Sequence, residues 1–347
     1  MKACRACFNG AGPIDVAAKR PNHGVCDFCA PIASDGMVWD ISTWENQFAS
    51  LLDKYEVAQS GLGQPIEALV KSDWDIFSFD ELPRIRAFLQ SAFTTPHPLL
   101  DGAVLSQRRT TSDQIDHIDT WDRYVRHLTT TNRFFPPRDL PAESLDFLGE
   151  VILKNSRTVE VGKPYFRGRP TGRSVPFDIS EMGMPPARVA SGGRGNPIGI
   201  PHLYVASDPE TCAAECRVGL NGFVSIATFR VTSELNVLDL AVVDSINPFT
   251  TEGDVSNYLQ ARSFLKRLRG EISIPARSVD VQMDYIATQF LCEYAKHLGL
   301  HGVMYPSTLN ENGTNLVLFG TERVAADEKV DLYLIVRDEF SLRQIEM

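Results

Sequence analysis

The chain has 347 residues, of which 43% are hydrophobic and 22% are charged, a composition typical of a globular protein with two or three domains. Its net charge of −10 argues against broad, charge-driven binding to nucleic acid, which requires a positive surface. It contains no apolar run of about 18 residues that would span a membrane, and the N-terminal MKACRACFNG lacks the apolar core of a signal peptide. We therefore expect a cytoplasmic protein with no membrane partner.

The first 34 residues contain four of the seven cysteines, in the pattern C-x2-C-x18-C-x2-C. Each C-x2-C pair places two thiolates on one tight turn, and two such turns complete a tetrahedron around Zn2+. The alternative is a set of unrelated reduced cysteines, and His23 is a substitute ligand if one thiolate is not used. We predict a zinc-binding knuckle at 1–34, structural because protein groups fill every position, with the ligands Cys4, Cys7, Cys26 and Cys29.

A helical region follows at 35–158. Apolar residues recur at three- and four-residue steps, which predicts helices at 44–59, 66–77, 79–93, 112–128 and 142–156. Arg123 and His127 lie one helical turn apart, but we interpret this pair as a solvated or partner-facing edge, because such spacing is common by chance. We expect Trp121 and Tyr124 in the core.

Short β-like segments dominate from about residue 162 onward. They read PYFRGR, HLYVAS, GFVSIATFRV, LNVLDLA, HGVMYPS, TNLVLFG and VDLYLIV, and helical segments lie between them at 208–218, 255–269 and 283–298. Short strands with few helices predict an α+β domain rather than a regular βαβ series. We place this domain at 159–347.

The loop SGGRGNPIGIPHLYVAS (191–207) is rich in glycine but lacks the dinucleotide-binding fingerprint. Its glycines have the wrong spacing, and a β-like segment follows where that fingerprint needs a helix. A phosphate held here would need Arg194, although a surface arginine in a flexible loop is the simpler alternative.

A helix is predicted directly after this loop. Ser207 and Glu210 form a capping box, and Pro209 lies in the first turn. We expect Glu215 on a mostly buried stretch, where a carboxylate must be paired or functional, and we interpret Cys212 and Cys216 as small core residues.

Five motifs, taken in chain order, resemble those of one known protein family. They are PYFRGR (164–169), GRGNPIGIP with LYVAS and CAAE (193–215), YIATQFLCEYAKHLG (285–299), the Ser-bearing HGVMYPS (301–307) and the strand NLVLF (315–319). Over roughly 160–320 this sequence resembles the RES-domain family, named for its Arg, Glu and Ser. The helical N-terminal region resembles, more weakly, the cysteine-bearing HEPN-type region fused to some RES proteins. It lacks the Arg-x4–6-His motif of HEPN ribonucleases around Arg123 and His127, so we do not expect RNA cleavage.

The resemblance implies an ADP-ribosyltransferase-like mixed β-sheet domain that consumes NAD+. The family arginine, tyrosine, glutamate and serine fall on Arg194, Tyr204, Glu215 and Ser307. Many members have an aromatic residue where this chain has Gly195. Further cofactor-binding candidates beside Arg194 and Tyr204 are Arg167, Arg169 and Asn196.

The chemistry of the bond suggests roles for these residues. Cleaving the nicotinamide–ribose bond passes through an oxocarbenium-like state, which the carboxylate of Glu215 would stabilise. Arg194 would neutralise the pyrophosphate, Tyr204 would pack on the nicotinamide or its ribose, and Ser307 would hydrogen-bond a ribose hydroxyl or the amide. Arg167 and Arg169 alternate along one strand, so one of them is a second phosphate contact or a sheet-stabilising ion pair.

We predict an NAD-consuming toxin or defence effector that transfers the ADP-ribosyl group to water or phosphate. One alternative is an ADP-ribosyltransferase that modifies a protein. An alternative of another class is a zinc-ribbon module that binds RNA or protein, with the RES-like domain as a non-catalytic scaffold. The expected partners are NAD+, an antitoxin or trigger protein and a second copy of the chain; overall acidity argues against nucleic acid.

Overall fold

The structure is a computed structural model that describes residues 1–9, 12–13, 21–29, 36–58, 63–102, 104–108, 117–135, 137–139, 143–241, 249, 255–273 and 281–336. The chain forms two compact units, one of residues 1–115 with 242–264 and one of residues 116–241 with 265–347. The segments predicted at 1–34, 35–158 and 159–347 were defined by sequence character rather than by packing, and that division stays a prediction. None of the described helices is both long and apolar enough to cross a membrane.

The first unit contains short strands and helices. They are β1 (Lys2–Ala3), β2 (Asn22–His23), β3 (Met37–Asp40), α1 (Glu45–Leu52), β4 (Tyr55–Val57), α2 (Ile66–Trp74), α3 (Leu82–Ala92) and β5 (Ser106–Arg108). Strands β1, β3 and β2 form one antiparallel sheet in that order, and β4 pairs with β5 in another.

An aromatic core joins the cysteine segment to these helices. Phe8 packs edge-on against Phe88 with ring centroids 5.6 Å apart, and it stacks on Phe77 at 6.0 Å. Phe28 contacts Phe88 at 4.7 Å. The cysteine segment therefore shares one hydrophobic core with the helices of its unit, and its apolar residues gain free energy by burial there.

The helix predicted at 44–59 is wrong in its second half. Helix α1 ends at Leu52, and residues 55–57 form a strand paired with β5. Tyr55 explains the break, because its buried hydroxyl donates to Asp73 Oδ2 at 3.0 Å and accepts from Trp74 Nε1 at 2.9 Å. This tertiary hydrogen bonding outweighs a weak helical pattern. The helices predicted at 66–77 and 79–93 are confirmed as α2 and α3.

The second unit holds the remaining elements. They are α4 (His117–Thr130), α5 (Glu143–Lys154), β6 (Ser156–Val159), β7 (Pro164–Thr171), β8 (Leu203–Ala206), α6 (Pro209–Glu215), β9 (Phe223–Val231), β10 (Leu235–Asp239), α7 (Val255–Ser273), α8 (Val281–Asp284), α9 (Ile286–His297), β11 (Gly302–Pro306), β12 (Thr314–Leu318) and β13 (Val324–Leu334). Residues 255–264 of α7 belong to the first unit. Residues 112–116 of the helix predicted at 112–128 lie outside the described residues.

Eight strands form one mixed sheet in the order β13-β9-β7-β8-β12-β11-β10-β6. Strands β10 and β11 are parallel and the other pairs are antiparallel. The predicted α+β class with a mixed sheet is thereby confirmed, and the predicted strands all form. Likeness to ADP-ribosyltransferases stays a prediction.

The sheet is not paired evenly across its width. Strand β7 pairs with β9 over eight residue pairs, but it meets β8 only at Phe166 opposite Ala206. Tyr165 and Phe166 lie in different hydrophobic clusters, as the alternation of a strand requires. Where two strands separate, their edges and backbone groups become available to line a cavity.

Candidate functional site

The four N-terminal cysteines come together as the spacing predicts. Their sulfur atoms all lie within 4.8 Å of one another, with Cys4 and Cys29 at 2.9 Å and Cys7 and Cys26 at 3.4 Å. All seven cysteines of the chain are free thiols. Four thiols at this separation could hold one tetrahedral metal ion.

Backbone groups favour the charged form of one of these thiols, Cys26, whereas burial raises the pKa of Cys7 and Cys29. The N–H groups of Phe28 and Cys29 both donate to the sulfur of Cys26 at 3.4 Å. Burial raises the pKa of Cys26, but these hydrogen bonds outweigh it and lower the pKa to about 7. A thiolate is the form that binds a metal, so the donor set and its surroundings fit Zn2+.

A cavity of about 280 Å3 lies where β7 and β8 diverge. It is lined by Phe166, Arg167, Gly168, Tyr204, Val205, Ala206, Cys212, Glu215, Cys216, Tyr305, Asn315 and Leu316. Its size is near the lower end of the usual range for small-molecule sites. Of the predicted site residues, it brings together Arg167, Tyr204 and Glu215.

Glu215 is held by hydrogen bonds to one of its two oxygens. Its Oε1 accepts from Ser307 Oγ at 2.8 Å and from Asn315 Nδ2 at 2.7 Å. No described group hydrogen-bonds to its Oε2. The carboxylate is thus oriented by two donors while one oxygen keeps its full capacity to accept a hydrogen bond.

Ser307 is an orienting group in this arrangement. The backbone N–H groups of Leu309 and Asn310 donate to its hydroxyl oxygen at 3.1 and 3.3 Å. With its lone pairs engaged, the hydroxyl directs its proton to Glu215. Ser307 is 8% exposed, and its hydroxyl has no capacity left for a ligand.

The expectation that Glu215 lies on a buried stretch is wrong. Glu215 is the last residue of α6 and is exposed, and only Thr211 and Cys212 of this helix are buried. Helix α6 is only seven residues long, and its buried residues are in its first half, so the carboxylate at its end lies outside the core. Cys212 packs in the core as expected, whereas Cys216 is half-buried.

The predicted capping box at Ser207 is also wrong. Asp208 is the N-cap of α6, and its Oδ1 accepts from Thr211 N at 2.7 Å. Ser207 instead donates its hydroxyl to Asp208 Oδ2 at 2.6 Å. Pro209 occupies the first turn as predicted, which shifts the cap to the residue directly before it.

The glycine-rich loop feeds strand β8, as expected, and its own side chains hold it. The Tyr204 hydroxyl donates to Asn196 Oδ1 at 2.6 Å and accepts from Gly195 N at 3.1 Å. The Asn196 amide donates to three backbone carbonyls of the loop. A Cβ on Gly193 would lie 2.6 Å from the Tyr204 hydroxyl, so this pair requires glycine there.

These contacts limit what Tyr204 and Asn196 offer a ligand. Burial raises the pKa of Tyr204, and the backbone N–H of Gly195 only partly offsets this. Its hydroxyl is fully engaged, so Tyr204 presents its ring to the cavity. Asn196 is 4% exposed with both ends of its amide in use, which makes it a loop-organising residue rather than a direct ligand contact.

Helix α9 anchors the same loop from behind. Gln289 Nε2 donates to Gly193 O at 2.8 Å and to Asn196 O at 3.0 Å, and Thr288 Oγ1 donates to Arg194 O at 2.6 Å. The Thr-Gln pair of the YIATQF motif therefore positions the arginine-bearing loop. Neither residue is among the site residues predicted from the sequence, although the YIATQF motif contains both.

Arg194 is half-buried and lies beside the cavity-lining residues rather than among them. Its Nη1 donates to Ile272 O at 3.1 Å, in the last turn of α7, where unsatisfied carbonyls attract a cation. Its positive charge lowers the pKa of both Tyr204 and Tyr305, although burial raises each more. Arg194 thus caps a helix with one N–H group and places its charge close to the cavity.

The two arginines of β7 have different surroundings. Arg167 lines the cavity, donates from Nη1 to Tyr204 O at 3.2 Å and leaves a buried Nε without a partner. Arg169 is exposed, donates to Glu181 O at 2.8 Å and stacks over Phe177 at 4.4 Å. Burial lowers the pKa of Arg167, so this cation gains from any anion that enters the cavity.

Two lining residues were missed by sequence reasoning. Asn315 orients Glu215, and Tyr305 lines the cavity with 6% of its side chain exposed. Both belong to motifs quoted above, NLVLF and HGVMYPS, so a signal existed. Nothing in one sequence shows that β12 would carry the amide to Glu215.

The pair on α4 behaves as the simpler interpretation predicts. Arg123 forms an ion pair with Asp139 at 2.8 Å, and His127 Nε2 lies 3.1 Å from Phe135 O. Trp121 and Tyr124 are buried. These contacts tie the helix to the segment that follows it.

Comparison with known proteins agrees with the motif assignment. Residues 174–340 match the family model of the RES domain. The match begins after the strand that carries Arg167 and Arg169. A chain in the crystal structure of the M. tuberculosis MbcT–MbcA toxin–antitoxin complex is similar, with 21% identity and a TM-score of 0.32 over 54% of this chain and 90% of that chain. No curated protein matches the chain. The family match covers residues 174–340, just under half of the chain, and includes Arg194, Tyr204, Glu215 and Ser307.

Proposed function

We propose that the RES domain cleaves the nicotinamide–ribose bond of NAD+ and passes the ADP-ribosyl group to water or phosphate. The observation that carries the proposal is the oriented carboxylate of Glu215, with one free oxygen, in a cavity also lined by Arg167, whose buried Nε has no hydrogen-bond partner. A carboxylate and a cation on one cavity wall complement a substrate with a cationic ribose carbon and an anionic pyrophosphate.

Glu215 acts on the ribose in this proposal. As the bond to nicotinamide breaks, its electron pair leaves with the ring nitrogen and positive charge develops on the ribose. The free Oε2 of Glu215 accepts from a ribose hydroxyl or lies against the developing charge. Ser307 and Asn315 keep the carboxylate in place, so little reorganisation is needed in the transition state.

The arginines act on the phosphates. Arg167 has a buried Nε without a partner, and Arg194 uses one N–H group on α7. Two guanidiniums near one cavity offset the charge of a pyrophosphate. The rings of Tyr204 and Tyr305 line the same cavity and provide apolar faces for the nicotinamide ring. A cavity of about 280 Å3 would take the nicotinamide–ribose end of the substrate.

Release of nicotinamide from NAD+ tests this function. We expect wild-type protein to release it and Glu215→Gln to lose roughly 100-fold or more in kcat, the usual cost of removing one oriented electrostatic group. Glu210→Gln is a matched control, because Glu210 lies on the same helix, is exposed and does not line the cavity. Equal rates for wild type and Glu215→Gln would refute the role of Glu215.

Product analysis distinguishes the acceptors. ADP-ribose as the sole product indicates hydrolysis, and a phosphorylated ADP-ribose formed only with inorganic phosphate indicates phosphorolysis. Labelled NAD+ that marks protein would instead support the ADP-ribosyltransferase alternative. Toxicity is a linked expectation: expression of the wild type should halt growth, and Glu215→Gln should not. An antitoxin or trigger protein and self-association stay predictions from the sequence.

We also propose that the four N-terminal cysteines bind one structural Zn2+. The four clustered thiols and the two N–H groups that donate to Cys26 support this. The metal would cross-link two short segments that are also joined by the aromatic core and by a backbone hydrogen bond from Asp27 N to Lys2 O at 2.9 Å. The HEPN-type character of the region stays a prediction.

A further inference from the structure

A second cavity, of about 250 Å3, lies within the second unit, at the other end of strands β11 and β12 from Glu215. The first cavity is lined by Tyr305 and Asn315, which pair across these strands. The second is lined by His301 and Phe319, which are joined by a backbone hydrogen bond of 3.0 Å. From His301 to Tyr305 the extended chain covers about 13 Å. The two cavities share no lining residue, so a ligand in one leaves the other open.

Several residues around the second cavity are apolar. Leu235, Leu300 and Val324 are at most 9% exposed, and Phe319 is half-buried. The cavity volume is below the usual range for drug-sized ligands. Such a space suits an apolar group about the size of a single aromatic ring, which would gain free energy by leaving water.

The charged residues around this cavity have an excess of positive charge. Lys296 and Arg323 are cations, and Glu322 is the carboxylate among the lining residues. Lys296 is exposed and forms no ion pair or hydrogen bond with any residue that the structure describes. Arg323 donates from Nη1 to Glu234 O at 2.7 Å, and no described carboxylate forms an ion pair with it. These two cations therefore keep their charge and most of their N–H groups for an anionic ligand.

His301 adds a neutral donor to the cations. Its Nδ1 accepts from Asn236 N at 3.0 Å, so the neutral ring carries its proton on Nε2. Burial, and then the charge of Arg323, lower the pKa of His301, which keeps the ring neutral. Its Nε2–H group has no partner among the described residues and can donate to an anion at the cavity.

We propose that this second cavity binds a small organic anion, a carboxylate or phosphate attached to an apolar group about the size of a benzene ring. The anionic group would lie by Lys296 and Arg323, within reach of the His301 donor, and the apolar group would lie against Phe319 and Leu300. Glu322 is the lining residue whose charge opposes such a ligand. The proposal does not depend on cleavage of NAD+.

The test is the binding of benzoate and phenyl phosphate to the full-length protein, with dissociation constants measured by saturation-transfer NMR. Benzamide has a similar shape to benzoate without the charge, and inorganic phosphate has the charge without the ring. We expect both aromatic anions to bind, and both comparison compounds to bind at least tenfold more weakly because each lacks one half of the interaction. The tighter of the two aromatic anions identifies the anionic group that the cavity prefers.

Two substitutions should change the dissociation constant in opposite directions. Lys296→Gln removes a cation and should weaken the binding of the aromatic anions about tenfold. Glu322→Gln removes a like charge and should strengthen it about threefold. Both side chains are exposed, so neither substitution should unfold the protein. Arg188→Gln is the matched control, because Arg188 is exposed, belongs to the same unit and lines neither cavity.

Failure of both aromatic anions to bind would overturn the proposal, as would dissociation constants that Lys296→Gln leaves unchanged. Benzamide that binds as tightly as benzoate would refute the role of charge, and inorganic phosphate that binds as tightly as phenyl phosphate would refute the role of the apolar residues. Binding that is lost in Glu215→Gln and kept in Lys296→Gln would place the anion in the first cavity and refute the second site. If the protein releases no nicotinamide, the proposed function fails, and these binding measurements still decide the second site.

Discussion

Replacing Gly168 with alanine adds one methyl group at the contact between β7 and α6. The new Cβ would meet Cys216 Sγ at 2.5 Å, Cys212 Sγ at 2.8 Å and the Cys212 carbonyl oxygen at 3.2 Å. Ordinary contacts of this kind are about 3.5–4 Å, so the helix must move or both thiols must rotate. Because Glu215 ends this helix, a shift of α6 also changes the geometry of the carboxylate.

The expected cost follows from overpacking. A methyl group forced into a filled site destabilises a protein by about 1–3 kcal/mol. With a urea dependence of about 2 kcal/mol per molar, the unfolding midpoint should fall by roughly 1 M. We expect nicotinamide release to fall as well, by about 100-fold if the carboxylate moves by about 1 Å.

Pulsed hydrogen exchange in a urea series measures the loss of stability locally, on the peptides that cover β7 and α6. Gly172→Ala is the matched control, because a Cβ there meets no atom within 4 Å. Removing both sulfurs, in Gly168→Ala with Cys212→Ala and Cys216→Ala, should recover part of the lost stability. If Gly168→Ala matches Gly172→Ala, or if removing the sulfurs recovers nothing, the close packing inferred at this contact is wrong.

Three further perturbations follow from single observations. Burial, and then the charge of Lys296, lower the pKa of His202 to about 4. As the pH falls below about 6.5, His202 therefore gains a proton in the unfolded chain but not in the folded one. The free energy of unfolding should fall by about 3 kcal/mol from pH 6.5 to pH 4. His202→Gln should flatten that part of a stability–pH curve, and an unchanged slope would contradict the assignment. Asp208→Ala should cost about 1 kcal/mol in chemical denaturation through loss of the α6 cap, and a cost near zero would show that another group caps it. Metal analysis should find about one Zn2+ per chain, lost in Cys4→Ser and kept in Cys216→Ala; a metal-free wild type would remove the zinc proposal.

Features that depend on neighbouring residues in the chain, such as turns, strands and helices, follow from the sequence alone. Two C-x2-C pairs predict a four-thiol cluster because each pair forms its own turn, and the cluster is present. The strands and most helices follow from hydrophobic periodicity, which reports which side of an element is buried. The ordered motifs predicted a resemblance to RES domains, and residues 174–340 match the model of that family. Even so, the capping box predicted at Ser207 and Glu210 does not form, because Asp208 is the N-cap of α6.

Contacts between the side chains of the candidate site, in contrast, depend on the tertiary structure. Arg167 and Arg169 look equivalent on one strand, but Arg167 lines the cavity, whereas Arg169 stacks on Phe177. Arg194 is on the glycine-rich loop, and one of its N–H groups donates to the carbonyl of Ile272 in α7. Asn315 reaches Glu215 across 100 residues. Such contacts depend on strand order and divergence, which sequence periodicity does not encode, because the alternation of buried and exposed residues is the same whichever strand lies alongside.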